Sequence, residues 1–283
     1  MNSPLFPVID AHVHLYPDSL ASKVTPSLSA RFGNAPAFDG TVDGCRANAF
    51  AAGLTASLNL PVATTPHQVA HTNSWAKAVN DSAHEAKRGE APRVYSLAAL
   101  HPRSDDRAAE LEKIAAAGFA GVKFHPEYQE FRFNDAALDE VWETMGDLGL
   151  VAFLHAGGER VFKPPFHSTP TEIRDLHRRF PRLKIVAAHL GGFEMWDESE
   201  AVLCGEDVWL DLSHTFFWMD DAQILRMIRK HGAGRILFGT DAPWQEPAKV
   251  LAALMKLPLS EQEFAAICAA NACELFNIPA GEV

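Results

Sequence analysis

Val8-Ile9-Asp10-Ala11-His12-Val13-His14, close to the start of the chain, reads as a short apolar β-strand. Side chains on a strand alternate with period two, so Asp10, His12 and His14 share one face. Two imidazoles at i and i+2 on a rigid strand are a ready pair of metal ligands. Imidazole together with carboxylate suits a divalent transition metal such as zinc. An isolated His-x-His also describes two surface histidines on an edge strand, so the rest of the chain has to decide between the two readings.

Working outward from this strand, apolar runs recur at 54–60, 94–100, 120–124, 150–154, 184–188, 208–212 and 235–238. With the first strand they make eight, spaced by about 33 residues, a common length for a βα unit. Helical stretches with recognisable ends lie between most of them. Thr169-Pro170-Thr171-Glu172 reads as a capping box with proline at the first helical position, opening a helix through Arg179. Ser260-Glu261-Gln262-Glu263 opens the last helix, toward Leu275. Asn134 is expected to cap a helix over 135–148, and Gly232 to stop the one ending at His231.

No composition break serves as a linker, so residues 1–283 are expected to form a single domain. Eight strands alternating with helices favour an α/β fold, a single closed (β/α)₈ TIM barrel with elaborated loops at its C-terminal face. A doubly wound open sheet is the alternative. It calls for a glycine-rich phosphate turn after the first strand, and this chain has none there.

A content of 47% hydrophobic and 22% charged residues over 283 positions is that of a soluble globular enzyme able to bury a core. The net charge of −11 argues against nucleic acid as a partner. No apolar run is long enough to span a bilayer, and Met1 to Pro7 has no basic stretch preceding an apolar one. A cytoplasmic protein acting on a small molecule, with a homo-oligomer left open, is therefore expected. Cys45, Cys204, Cys268 and Cys273 are scattered and form no Cys-x-x-Cys pair, which reads as reduced core residues.

Barrel enzymes place their chemistry at the carboxyl ends of the strands. Of 13 histidines, seven fall there: His12, His14, His101, His125, His155, His189 and His214. The strand ends make up about a seventh of the chain, so chance alone would place about two. Barrel closure would also make Asp241, just past the eighth strand, a neighbour of His12 and His14, with His155 reaching the same axis from the fifth strand. Three imidazoles and a carboxylate with room for water make an open, catalytic type of site. The plainer alternatives are a hydrogen-bonded barrel histidine for His155 and a helix N-cap for Asp241.

His12-Val13-His14, Phe153-Leu154-His155-Ala156-Gly157, Ala188-His189-Leu190-Gly191-Gly192 and Phe238-Gly239-Thr240-Asp241-Ala242-Pro243 together resemble the amidohydrolase superfamily. The nearer likeness is to its amidohydrolase-related branch of metal-dependent TIM-barrel hydrolases and decarboxylases. Gly121-Val122-Lys123-Phe124-His125-Pro126 also resembles the strand-four motif of many members. The resemblance implies that His12, His14, His155 and Asp241 hold a divalent metal, one Zn2+ by preference, with Mn2+ or a second metal as alternatives. It further implies that Asp241 takes a proton from the attacking water, while His189 polarises the substrate or shuttles a proton. Gly191-Gly192 would let the loop behind His189 turn sharply.

Binuclear members use a carboxylated lysine or a glutamate on strand four as a bridge. Lys123 stands on that strand and shares a face with His125. Bridging, an ion pair and binding of a substrate carboxylate are all open to it, the last two being favoured. His125, His214 and Arg160 are further candidates for substrate contact, and Arg103, Arg132 and Lys163 fall in segments expected near the site. His101, before Pro102, reads as a capping or packing residue.

Two loops are unusual. Residues 15–42 are long, carry Pro17, Pro26 and Pro36, and lack clear periodicity. Residues 156–170 mix basic and aromatic side chains directly beyond His155, as a lid or a solvated surface loop would. Phe216-Phe217-Trp218 suits a pocket wall or an oligomer contact.

Three function classes follow. The first is a hydrolase opening an amide, lactone or ester of a small molecule, and it is the favoured reading. The second is a non-oxidative carboxy-lyase of an aromatic or unsaturated acid. The third, a non-catalytic metal- or ligand-binding barrel, is disfavoured because every expected ligand is present. A DNase of the TatD type is disfavoured by the acidic charge and by Gly239 where that group usually carries a glutamate before Thr-Asp.

Overall fold

The computed structural model describes residues 6–86, 89 and 91–281. In chain order its strands are β1 (Ile9–Val13), β2 (Ala56–Asn59), β3 (Arg93–Ser96), β4 (Ala98–Ala99), β5 (Gly121–Phe124), β6 (Val151–Leu154), β7 (Lys184–Ala187), β8 (Trp209–Asp211) and β9 (Ile236–Leu237). All eight apolar runs read from the sequence carry strand. The run over 94–100 is split into β3 and β4 at Leu97.

The chain divides into two compact units. Unit one comprises the residues up to Asn59, Ala78–Ser96 and everything from Leu212 onward, and unit two comprises Leu60–Lys77 and Leu97–Asp211. In unit one β1 pairs with β2, and β2 with β3, all parallel. The β1–β2 register slips between Asp10 and Val13, an irregularity centred on the segment that bears His12. On the other side of β1, Ala11 N–H donates to Phe238 O, Asp241 N–H to His12 O, and His14 N–H to Ala242 O. These bonds zip β1 to residues 238–242 and so draw two segments from opposite ends of the chain together.

In unit two β4, β5, β6, β7 and β8 pair in sequence order, and the registers of each pair are parallel. The strands are mostly buried and apolar, as parallel strands covered by helices are, with buried Lys123 and Asp211 and exposed Lys184 as exceptions. Phe124, Phe131, Phe133 and Trp142 interlock edge to face, with ring centroids 5.2–6.4 Å apart, and form the aromatic core beside β5.

Helix ends follow their side chains. Thr169 caps the helix Pro170–Arg179 by accepting from Glu172 N–H, and Ser260 with Glu263 forms the capping box of Glu261–Ala265. That last helix widens into a π segment, Ala266–Ala270, and continues as Asn271–Phe276. Gly232 ends Asp221–His231 at φ 97°. Two expectations need correction. The cap near 135 is Asp135, not Asn134: its carboxylate accepts from Ala137 N–H and starts a short 3₁₀ turn, and the α-helix begins at Asp139. Residues 15–42 are not irregular throughout, because Asp18–Phe32 is helical with Pro26 inside it. Only Ala21 and Thr25 of this helix are buried, and a helix with so narrow a buried stripe shows little periodicity.

Candidate active site

Seven histidines stand at or just beyond strand ends, as their sequence positions required. His12 lies in β1 and His14 one residue past it, and His125 and His155 immediately follow β5 and β6. His189 comes two residues after β7, and His214 three after β8. His101 is a packing residue, its Nδ1 accepting from Arg103 N–H.

Unit one assembles His12, His14, Asp241 and His214. His12 Nε2 and His14 Nε2 lie 3.3 Å apart, and Asp241 Oδ1 sits 3.5 Å from the first and 3.1 Å from the second. Ligands at about 2.0–2.2 Å from a divalent ion are about 3.0–3.5 Å from one another in tetrahedral or octahedral geometry. The donor set and its spacing therefore fit a divalent cation. His12 is buried, while His14 and Asp241 each keep a small exposed edge.

Asp241 Oδ2 accepts from His214 Nε2 at 3.0 Å. Burial alone would raise the Asp241 pKa, but the charge of His12 and the hydrogen bonds from His14 and His214 hold it well below the usual carboxylate range. His214, expected against substrate, lies against Asp241.

Unit two assembles Lys123, His125, His155, His189 and Glu159. His189 Nε2 and His155 Nδ1 are 3.2 Å apart, and His155 Nε2 lies 3.0 Å from Gly158 O. A carbonyl only accepts, so His155 Nε2 carries the proton, its Nδ1 accepts, and His189 Nε2 donates. Burial, then the nearby His125 and Lys123, push the His155 pKa well down, which keeps the ring neutral. The buried Lys123 ammonium stands 4.9 Å from the centre of the Phe153 ring.

His125 stacks on His155 with centroids 4.0 Å apart and planes 9° from parallel, and its Nε2 is 3.5 Å from Glu159 Oε2. These three residues carry ligand-type atoms close together. An imidazole lone pair lies in the plane of its ring, and two parallel planes share no point at which one ion meets both lone pairs. The trio therefore reads as a stacked pair with a carboxylate, not a second metal site.

The backbone around His189 is bent. His189 and Leu190 have φ of 58° and 50°, in the left-handed region that non-glycine residues avoid. Asp211 accepts from His189 N–H at 3.0 Å, Trp196 Nε1 donates to His189 O, and Ser199 donates to Leu190 O. Gly191 continues the turn at φ 76°, where a Cβ would come within 2.6 Å of Ser199 Oγ. Of the pair expected to allow the turn, Gly191 is the one in a conformation that favours glycine.

The loop over 156–170 is tied at its neck, Gly157 N–H donating to Ser168 O and Ser168 Oγ to Gly157 O. Buried Glu127 accepts from His167 N–H, and Tyr128 packs edge-on to Phe162. Three of the basic residues expected near the site form ion pairs. Arg160 is half exposed and faces Glu194 at 3.8 Å, Arg103 pairs with Glu130, and Arg132 with Glu172. Trp218 meets His214 edge-on at 6.2 Å, and Phe217 is exposed.

Asp211, Ser213, Glu127 and Glu159 were not singled out for the site from the sequence, and Asp10 was placed only on the face of His12 and His14. Asp10 and Asp211 did carry a signal, a carboxylate inside an otherwise apolar strand.

The amidohydrolase family model matches residues 9–278. The chain belongs to the amidohydrolase family. Among curated proteins none matches it. Solved structures similar to this amidohydrolase include a TIM-barrel protein of Bordetella bronchiseptica described as uncharacterised, with TM-score 0.78, 17% identity, and 97% of this chain and 99% of that one covered. The 5-carboxyvanillate decarboxylase of Sphingomonas paucimobilis gives 0.68 and 18%, covering 96% and 99%. The 5-carboxyvanillate decarboxylase of Novosphingobium aromaticivorans, complexed with manganese and a nitrobenzoic acid, gives 0.69 and 14%, covering 97% of each. These likenesses show the fold, a (β/α)₈ barrel. The superfamily is one of metal-dependent enzymes. Among the described residues no helix is long and apolar enough to cross a membrane, and the four cysteines are free thiols.

Proposed function

We propose that this amidohydrolase is a metal-dependent hydrolase of a small-molecule amide, lactone or ester. The observation that carries the reading is the triangle of His12 Nε2, His14 Nε2 and Asp241 Oδ1, with sides of 3.1–3.5 Å. These three residues would hold one divalent ion, zinc or manganese. The ion supplies Lewis acidity, polarising a carbonyl and making water acidic enough to ionise near neutral pH. Asp241, held ionised by its imidazole neighbours, accepts the proton of the attacking water. His189, its backbone fixed by Asp211, passes a proton to the leaving group.

A second reading, a carboxy-lyase, is favoured by one observation. Lys123 is a buried ammonium on the same strand face as His125, a setting that suits a substrate carboxylate. Two of the similar structures are decarboxylases of an aromatic acid.

One experiment separates the two. Protein loaded with Zn2+ or Mn2+ is incubated in H₂¹⁸O with a panel of lactones, amides and esters, and separately with aromatic acids labelled with ¹³C in the carboxyl group. Incorporation of ¹⁸O into a new carboxylate supports the hydrolase, and release of ¹³CO₂ replaces it with the carboxy-lyase. Turnover equal to that of chelator-treated protein would overturn both.

A further inference from the structure

Ser213 and His214 are consecutive residues, yet each touches a different proposed metal ligand. Ser213 Oγ lies 3.0 Å from His12 Nδ1, and His214 Nε2 lies 3.0 Å from Asp241 Oδ2. Neighbouring side chains in extended backbone point to opposite sides. Here the left-handed conformation of His214, φ 49°, turns its side chain back toward the side that Ser213 faces. The bend is held from outside: His214 N–H donates to Gln245 Oε1 at 3.0 Å, and Thr215 Oγ1 donates to Leu212 O at 2.7 Å. Backbone strain kept in place by two hydrogen bonds, beside two candidate ligands, marks a position shaped for a purpose.

We propose that Ser213-His214 is a positioning pair that orients His12 and Asp241 for the metal, and that His214 is not a substrate contact. The inference rests on the metal reading given above. Its chemistry follows from the atoms. With His12 Nε2 turned to the donor triangle, its Nδ1 carries the proton and donates to Ser213 Oγ, which fixes both tautomer and ring plane. His214 Nε2–H donates to Oδ2 of Asp241, which turns Oδ1 toward His12 and His14. A donor is needed at that point whatever the charge of the His214 ring, so a side-chain amide can take its place.

The test is metal binding by the stripped, full-length protein, with Zn2+ titrated against a chromophoric chelator, and thermal melting as the check on folding. Wild type is expected to bind one equivalent. His214→Phe and Ser213→Ala are each expected to weaken binding by about 10–100-fold, the usual cost of losing the hydrogen-bond partner of a ligand. His214→Gln, which retains an N–H donor, is expected to recover most of the loss, and Ser213→Thr likewise. In turnover at saturating metal, His214→Phe should lower kcat and leave KM nearly unchanged. Wild-type affinity in folded His214→Phe, or a rise in KM alone, would overturn the proposal and return His214 to the substrate. Failure of His214→Gln to rescue would do the same, since a purely steric role gives no reason for an amide to work. Absence of Zn2+ binding in wild type would instead bring down the metal reading itself, and this proposal with it.

Discussion

Asp10 accepts hydrogen bonds from both the backbone N–H of Thr240, at 2.9 Å, and its hydroxyl, at 2.5 Å, although the residues are 230 positions apart. The same carboxylate accepts from His12 N–H at 3.2 Å. One buried acid therefore clamps the strand bearing His12 to the residue that precedes Asp241. Asp10→Asn keeps the shape and removes the charge. It is expected to cost about 1.5–3 kcal/mol, the scale of hydrogen bonds to a charged group, read as a lower urea midpoint. An unchanged midpoint would show that the clamp contributes nothing.

The two roles proposed for Asp241 can be separated from that of a pure ligand. Asp241→Asn should abolish turnover while costing less metal than His12→Ala, since the amide oxygen can still coordinate but the base is gone. Full activity in Asp241→Asn would remove the carboxylate from the mechanism.

In metal-free protein Asp241 also links stability to pH. Its folded pKa lies well below the unfolded value of about 3.9, so folding releases a proton in acid. The stabilisation is present above pH ~4 and is lost as pH falls through the folded pKa. Asp241→Asn should flatten this part of the acid-unfolding profile. A variant with the wild-type slope below pH ~4 would contradict the linkage.

Burial pushes the thiols of Cys45 and Cys268 up to about 12. A thiol reagent at pH 8 should label half-buried Cys204 and Cys273 in the native protein, and Cys45 and Cys268 only after unfolding. Because unfolding frees both buried thiols to ionise from about pH 8.5, stability should decline as pH rises from there toward 12. Labelling of four thiols in the folded state would refute the burial of Cys45 and Cys268.

Trp142 is fully buried among Phe124 and Phe133, with centroids 5.2 and 6.4 Å away. Trp142→Ala should destabilise the protein by about 3–5 kcal/mol through lost burial and the cavity left behind. Chemical denaturation of the variant measures this directly, and a loss below about 1 kcal/mol would mean that the aromatic cluster closes over the gap.

Much of the architecture was legible in the chain because it depends on local signals. Apolar runs became strands, Thr169 and Ser260 capped their helices, and Gly232 ended its helix. The helix Asp18–Phe32 was not legible, since it buries almost nothing and so has no stripe. The direction of Arg160 was not legible either: a long cation in a loop goes to whichever carboxylate the fold brings near, here Glu194.

By itself the sequence determined which segments are strands, that histidines crowd their carboxyl ends, and to which family the chain belongs. It did so because side-chain alternation and apolar runs act over a few residues. Tertiary structure alone decided that Asp10 holds Thr240, that Ser213 faces His12, and that His214 faces Asp241. Hydrogen bonds between residues far apart in the chain leave no local pattern. Left-handed backbone at His189, His214 and Asp241, a conformation His and Asp adopt more readily than most side chains, persists because the surrounding bonds outweigh its cost.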